Sequence, residues 1–159
     1  MVTNRDPLNQ FALTAEIGVI AEGSPETQTV LINPSSLNTF RATYPVRLIS
    51  GASPIPLVEL ATPGGDDIYG IIIQNPKVGS WTAKDTPQVT TYGCVVRFIS
   101  AAVLNRGARV GLVYDSVHHR YNVTTGTTAN EIGILLDQAA IGDNIRVQLT
   151  IPCCVATGS

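Results

Sequence analysis

The chain has 159 residues, a formal net charge of −2 and a charged fraction of 14%, against about 25% in an ordinary soluble domain. This near-neutral charge supplies no basic field for nucleic acid or an anionic membrane. Mean hydropathy is +0.19, yet no apolar run approaches the roughly 18–20 residues of a membrane span. Residues 1–10 lack the basic start and apolar core of a signal peptide. Such a length suits one domain, and the scarcity of charge predicts apolar surface that is covered in an assembly.

The basic residues and the cysteines refine this expectation. Lys occurs only at positions 77 and 84, and the other eight of the 10 basic residues are Arg. Interfaces enrich Arg over Lys because the guanidinium is weakly hydrated and forms forked hydrogen bonds; host composition is the alternative explanation. Cys94, Cys153 and Cys154 do not suit a disulfide framework. A reducing compartment is therefore expected, and the sequon at residues 122–124 is interpreted as a chance match without a glycan.

Residues 1–43 are predicted to form an N-terminal arm with short strands. Residues 1–10 are polar and irregular. The next segment alternates in the period of a strand, with these apolar positions on one face: Phe11, Leu13, Ala15, Ile17 and Val19. A short apolar strand is predicted at 29–32, and residues 35–40 have room for one helical turn.

Residues 44–152 are predicted to form a β-domain, and residues 153–159 a C-terminal tail. The strand candidates in its first half are 46–50, 56–60, 68–73 and 89–99. Pro54 and Pro56 restrict the second of these to an edge strand, or place Pro56 at its first residue. No segment longer than ten residues has the 3.6-residue period of an amphipathic helix. The fold class is therefore all-β, a small β-barrel or sandwich (β-tulip-like) with an extended N-terminal arm and little or no helix.

Residues 102–151 give the clearest strand signals. Apolar runs occur at 109–114, 120–123 and 132–136, and the last strand alternates strictly between apolar and polar residues over 144–151. The links contain residues that allow positive φ in turns: Gly107, Gly126, Asn130 and Gly142. A weak internal repeat aligns residues 67–74 with 130–137 and the strand 93–98 with 142–149. It indicates either two similar halves of one barrel or the ordinary recurrence of glycine before aliphatic residues.

Candidate reaction chemistry is sparse. His118 and His119 follow Asp115 closely, but adjacent residues of a strand point to opposite faces and do not grip one metal, so a polar hairpin tip over residues 115–120 is favoured. Asp66 and Asp67 beside two glycines suit a solvated turn better than a Ca²⁺ site. Cys153 and Cys154 have no basic neighbour to lower a thiol pKa. We therefore expect no enzyme, no cofactor, no metal and no small-molecule substrate.

The single Trp, Trp81, lies in a segment of extra residues relative to the weak repeat. Exposed tryptophans on loops are frequent binding anchors and are enriched among interface hot spots. The alternative interpretation is that Trp81 covers one end of the barrel, and the sequence does not distinguish the two.

Two runs carry a family resemblance: Ala101 to Val113, a short lead-in followed by a glycine-led strand, and Glu131 to Leu149, a glycine-aliphatic strand, an Ala-rich turn, Gly142-Asp143 and an alternating strand. This pattern resembles the phage capsid cement, or head decoration, proteins over about residues 44–151. The resemblance implies a trimer on the outer capsid surface of the virion, at three-fold and quasi-three-fold positions, which bridges major capsid subunits of a phage made in the bacterial cytoplasm. Its partners would be the major capsid protein and itself, as a homotrimer, with no nucleic acid or membrane.

In such a protein we expect the arm and the aromatic residues to contact the capsid or a neighbouring subunit. The candidate interface residues are Phe11, Leu13, Ile17, Val19, Phe40, Tyr44 and Trp81. An arm of this kind adds a strand to a neighbour's sheet through backbone hydrogen bonds. Two other functions share the composition: another virion part, such as a tail, baseplate or receptor-binding module, and a small-barrel enzyme or ligand-binding subunit. The second of these requires a convergent polar pocket.

Overall fold

The computed structural model of the chain describes residues 17–22, 27–50 and 54–151, and these residues form an all-β fold of two six-stranded sheets without helix. The strands, in chain order, are β1 (Ile20–Glu22), β2 (Thr27–Thr29), β3 (Leu31–Ile32), β4 (Pro45–Ser50), β5 (Leu57–Leu60), β6 (Gly70–Ile72), β7 (Gln88–Thr90), β8 (Val95–Ile99), β9 (Arg109–Asp115), β10 (Arg120–Thr125), β11 (Glu131–Leu135) and β12 (Asn144–Leu149). The predicted fold class is confirmed. No helix able to span a membrane occurs among these residues.

The first sheet has the order β1-β8-β12-β11-β9-β10, with antiparallel pairing throughout. The second has the order β2-β7-β6-β4-β5-β3 and is antiparallel except for the β3–β5 pair. It curls strongly, because its two edge strands are consecutive stretches of chain separated only by Val30. Neither sheet closes into a barrel, and their arrangement is that of a sandwich. Buried side chains from both sheets form one hydrophobic cluster.

Five strands begin with the same local structure, which we call the strand-opening turn. One residue of the turn has a φ between 76° and 90°, and the strands concerned are β1, β4, β8, β9 and β12. The N–H of that residue donates to the carbonyl of a single opposing residue on the neighbouring segment. The N–H of the opposing residue donates in turn to the carbonyl of the residue that follows the positive-φ position. Two residues thus oppose one, which is a β-bulge with its first residue in the left-handed region.

Glycine occupies the positive-φ position in four of these turns, and threonine in the fifth. The bulge pairs and their opposing residues are Gly18-Val19 with Arg97, Thr43-Tyr44 with Ile72, Gly93-Cys94 with Leu149, Gly107-Ala108 with Leu135, and Gly142-Asp143 with Ser100. Glycine suits the position because it has no Cβ to clash at positive φ. The sequence prediction of positive-φ turns at Gly107 and Gly142 is correct. Gly126 and Asn130 do not have positive φ.

Two strand predictions are wrong for the same reason. Residues 89–99 were expected to form one strand, but the strand-opening turn at Gly93, with φ +88°, separates β7 from β8, which belong to different sheets. Likewise Ile17 and Gly18 lie in a turn rather than a strand, and β1 begins only at Ile20. Residues 35–40 form no helical turn. Pro56 immediately precedes β5, which is not an edge strand but lies between β4 and β3.

The internal repeat has a different basis from the one expected. In the alignment, β6 corresponds to β11 and β8 corresponds to β12, yet β11 pairs with β12 whereas β6 and β8 belong to different sheets. What recurs is the strand-opening turn, not a half of the fold. Asn122 of the sequon is buried on β10 and donates through Nδ2 to Asp115, a position that suits the expected absence of a glycan.

A pair of glycine substitutions tests the strand-opening turn. An added Cβ at Gly107 meets nothing within 4 Å, so only the φ of +89° opposes alanine there, and Gly107→Ala is expected to cost about 1–2 kcal/mol of unfolding free energy. At Gly133 an added Cβ falls on the backbone carbonyl of Gln148, so Gly133→Ala is expected to cost about 3 kcal/mol or more through overpacking. Urea unfolding measures both. Equal losses would show that the positive φ is not what glycine provides at position 107.

Candidate interaction surface

The hairpin of β9 and β10 projects from the first sheet. The two strands pair continuously from Asp115 opposite Arg120 to Val110 opposite Thr125. On its other side, β9 pairs with β11 only up to Gly111, which opposes Glu131. Residues 112–115 of β9 therefore have a strand neighbour on one side only. An isolated two-stranded ribbon is marginally stable in water, so the projecting part of this hairpin requires other contacts.

Asp115 fixes the tip of the hairpin. Its Oδ1 accepts the backbone N–H groups of Val117 and His118 at 3.0 and 3.2 Å, which is how an aspartate stabilises a tight turn. Its Oδ2 lies 2.8 Å from His118 Nδ1 and accepts from Asn122 Nδ2 at 3.2 Å. The hydrogen bond with His118 is the main cause that lowers the pKa of Asp115 from 3.8 to about 2. The carboxylate is thus charged at physiological pH and holds the loop between the strands.

Three tyrosines pack together next to the hairpin tip: Tyr114 and Tyr121 belong to the hairpin, and Tyr44 comes from the turn before β4. The ring of Tyr44 stands edge-on to those of Tyr121 and Tyr114, with centroid distances of 5.0 and 6.0 Å. Such arrangements are favourable because the positive edge of one ring meets the negative face of another. The Tyr44 hydroxyl donates to that of Tyr114 at 3.3 Å. Burial, followed by this hydrogen bond, raises the pKa of Tyr44 far above its usual range, so Tyr44 remains a neutral donor.

The hairpin presents apolar side chains to solvent. We define the hairpin-tip surface as Tyr114, Val117, His118 and His119; Val113, the neighbour of Tyr114 on β9, points to the opposite face of the hairpin. Val113 is 42% exposed, Tyr114 44% and Val117 79%. The Tyr114 hydroxyl also lies 3.3 Å from His119 Nδ1, so the exposed ring is held on two sides. Tyrosine is one of the residue types enriched among protein-binding hot spots, and Tyr114 combines exposure with a fixed position.

Other exposed apolar residues lie elsewhere on the surface. They are Leu37, Leu48, Ile49, Ile55, Tyr92, Val103 and Ile141. Tyr92 is the one aromatic residue of this set, and within residues 17–22, 27–50 and 54–151 it makes no ring–ring contact. The hairpin-tip surface differs in that both exposure and a defined network of ring and hydrogen-bond contacts occur together.

The acidic residues considered as metal ligands are engaged in turns. Asp66 accepts the Thr62 backbone N–H at 2.8 Å and lies 3.8 Å from Arg47 Nε. Asp115 and His118 are adjacent, but no group of three or more His, Cys, Asp or Glu side chains suited to a metal occurs among residues 17–22, 27–50 and 54–151. Cys94 is buried beside β8. A buried free cysteine behaves as a small apolar residue.

The residues predicted as interface contacts occupy different environments. Phe11 and Leu13 lie outside the described residues. Ile17 and Val19 are half-buried where the chain enters β1. Three others are covered by the chain itself, with exposures of 0% for Phe40, 5% for Tyr44 and 6% for Trp81. The described members of the predicted set therefore do not form one exposed surface on this chain.

Phe40 and Trp81 form a small pair of their own. Each donates its backbone N–H to the other's carbonyl at 2.8 Å, and both side chains belong to the hydrophobic cluster. Trp81 is therefore a core residue of this chain and not an exposed side chain on a loop.

Sequence reasoning missed the exposed residues of the hairpin tip. A signal was present, because Val113 and Tyr114 are consecutive apolar residues and neighbours on a strand point to opposite faces. At least one of them was thus bound to leave the buried face. Val113 and Tyr114 are both exposed because β9 pairs with β11 only up to Gly111, and this register cannot be predicted from the sequence.

Comparisons with known proteins give limited information. No protein-family model matches the chain, and no curated protein matches it. Among solved structures, the N base of head fiber gp8.5 in bacteriophage phi29 is similar, with 13% sequence identity and a TM-score of 0.43 over 78% of this chain and 92% of that one. A likeness at this level carries no argument about family or function.

The pKa of Asp115 leads to a test of the hairpin tip. Because the folded-state pKa lies below 3.8, the contribution of Asp115 to stability is complete above about pH 4 and is lost as the pH falls through about 2. Asp115→Asn should therefore remove part of the stability loss between pH 4 and 2. Carbon-detected NMR titration of the carboxyl group, with urea unfolding at both pH values, measures this. Titration of Asp115 near 3.8 would contradict the proposed network.

Proposed function

We propose that this chain is a structural protein of a phage virion, and specifically a cement protein that binds the outer capsid surface and bridges neighbouring major capsid subunits. The observation that carries the proposal is the hairpin-tip surface, where Tyr114 and Val117 are exposed on a hairpin held by Asp115 and Tyr44. The resemblance of residues 44–151 to cement proteins supports the same conclusion.

The geometry suits attachment to a large, rigid partner. A projecting hairpin reaches into a depression between capsid subunits that a flat sheet face does not enter. The held Tyr114 ring loses little conformational freedom on binding, and preorganisation of this kind lowers the entropic cost of association. Three copies around a three-fold axis would engage three such depressions at once, and multivalency then makes a modest contact strong.

The N-terminal segment is the second proposed contact. Residues 17–22 enter the first sheet, where Gly18 donates to the Arg97 carbonyl and β1 pairs with β8. Residues 1–16 precede this anchor and contain Phe11 and Leu13. We propose that they add a strand to a neighbouring chain or to the capsid, through backbone hydrogen bonds with side-chain pockets for specificity.

The hairpin-tip surface is tested by substitution and capsid binding. Tyr114→Ala and Val117→Ser are each expected to weaken co-sedimentation with expanded, undecorated capsids, Tyr114→Ala by about 30-fold, the loss typical of an interface hot spot of about 2 kcal/mol. Leu37→Ser is the matched control, because Leu37 is 99% exposed and lies in a loop of the other sheet's connections.

Each outcome of the capsid experiment decides one point. If the wild-type chain does not co-sediment with capsids, the cement function is wrong. If it does but Tyr114→Ala binds as tightly as Leu37→Ser, the chain binds capsids through another surface. Attachment to tails, baseplates or host receptors instead of capsids would identify the alternative virion part.

Deletion of residues 1–16 tests the N-terminal contact separately. The truncation ends before Gly18, whose N–H and carbonyl bond to Arg97 and Gln74, so the domain is expected to remain folded while capsid occupancy is lost. Circular dichroism and urea unfolding establish that the domain is intact. Full occupancy of the capsid sites by the truncated chain would show that residues 1–16 do not form the capsid contact.

A further inference from the structure

The residue at the positive-φ position of the turn before β4 is unusual. Four strand-opening turns place glycine there, whereas this one places Thr43 at a φ of 78°. A β-branched residue with positive φ is a genuine outlier, because its branched Cβ crowds the backbone. Strain of this kind persists only where surrounding contacts fix it, and it often marks a functional position. Thr43 is completely buried, so its side chain has a defined environment.

The hydroxyl of Thr43 provides what glycine lacks. Its Oγ1 accepts the backbone N–H of Tyr121 at 2.9 Å. Tyr121 lies on β10, which is an edge strand of the first sheet, whereas Thr43 leads into β4 of the second. The hydrogen bond therefore joins the two sheets, and it satisfies a donor that the edge strand directs away from β9. A buried backbone donor without a partner is costly, which is why such groups are almost always paired.

The next residue of the same turn holds the other strand of the hairpin. Tyr44 donates its hydroxyl to Tyr114 on β9 and packs its ring on both Tyr114 and Tyr121. Thr43 and Tyr44 are the two residues of one bulge, fixed opposite Ile72 by backbone hydrogen bonds of 2.8 and 3.0 Å. One turn of the second sheet thus contacts both strands of the hairpin, at the part of the hairpin that lies beyond the pairing of β9 with β11.

We propose that Thr43 is a positioning residue for the hairpin-tip surface: its hydroxyl fixes β10 against the second sheet, so that a partner meets Tyr114 and Val117 already in their binding geometry. This inference deepens the proposed function and rests on it, because it assigns the preorganisation of the proposed contact to a residue that does not touch the partner.

A set of substitutions at one position separates the hydroxyl from its surroundings. Thr43→Val keeps the shape and removes the acceptor, Thr43→Ser keeps the acceptor and removes the methyl group, and Thr43→Gly removes both while relieving the positive φ. The control is Gly93→Ala, which strains another strand-opening turn, at φ +88° with open space around the added Cβ. Any general effect of reduced stability appears in this control as well.

Two readouts distinguish positioning from ordinary stability. The first is hydrogen exchange of the Tyr121 amide, and the second is the dissociation rate from expanded capsids. Thr43→Val and Thr43→Gly are expected to accelerate both by about 10-fold, the effect of losing one buried hydrogen bond. Thr43→Ser is expected to leave dissociation within about 2-fold of the wild-type rate because it keeps the acceptor for the Tyr121 N–H. Gly93→Ala is expected to do the same because its turn bonds to Leu149 on β12 and not to the hairpin.

The outcomes separate this inference from the proposed function. If Tyr121 exchange accelerates in Thr43→Val but capsid dissociation does not, Thr43 holds the fold and does not position the surface. If Tyr121 exchange is unchanged in Thr43→Val, the hydroxyl does not fix β10 and the inference is wrong whatever the capsid result. If the wild-type chain does not bind capsids, the proposed function is wrong. Accelerated Tyr121 exchange in Thr43→Val would then support only the hydrogen bond between Thr43 and Tyr121 that joins the two sheets.

Discussion

The backbone constraint on which this fold depends is a positive φ at the start of a strand. It recurs before β1, β4, β8, β9 and β12, and each time two residues oppose one across the ladder. Because side chains alternate between faces, the inserted residue determines which face of the new strand is buried. The bulge also increases local twist. A chain with short strands and no helix in its described part obtains register and curvature from this turn, together with the irregularities at Leu48–Ser50 and Glu131–Gly133.

Two of these turns meet where the sheets join. Gly18 donates its N–H to the Arg97 carbonyl in the first sheet and accepts the Gln74 N–H from the second. A Cβ at Gly18 would lie 2.9 Å from the Cβ of Ala42, in the turn that contains Thr43. The start of β1 therefore packs on the turn that holds the hairpin. The proposed N-terminal contact and the hairpin-tip surface are consequently both connected to the packed turns at Gly18 and Thr43. A mechanical force on either contact is transmitted to both sheets through these turns.

The sequence predicts the second half of the fold better than the first. Strict alternation identifies β12 because its burial follows the period of two, with Ile145, Val147 and Leu149 buried. The strands β9, β10 and β11 are identified as short apolar runs, because consecutive residues are buried in each of them. Where a strand-opening turn interrupts an apolar run, as at Gly93, periodicity alone joins two strands into one. The positive φ of Thr43 is still harder to predict from the sequence, since nothing in its residue type indicates positive φ. Only the partner of its hydroxyl, 78 positions further along the chain, explains it.

The candidate interface shows why aromatic residues are ambiguous in a small β-fold. Without helices to cover the sheets, bulky side chains must fill the space between them, and Phe40 and Trp81 serve this purpose. Tyr114 is exposed for a different reason: β9 extends past its partner β11, which ends its pairing at Gly111. The overhang creates a projecting surface and at the same time removes the support of a third strand. The bulge formed by Thr43 and Tyr44 supplies that support from the opposite sheet, so the residue held at positive φ compensates for the overhang that exposes Tyr114.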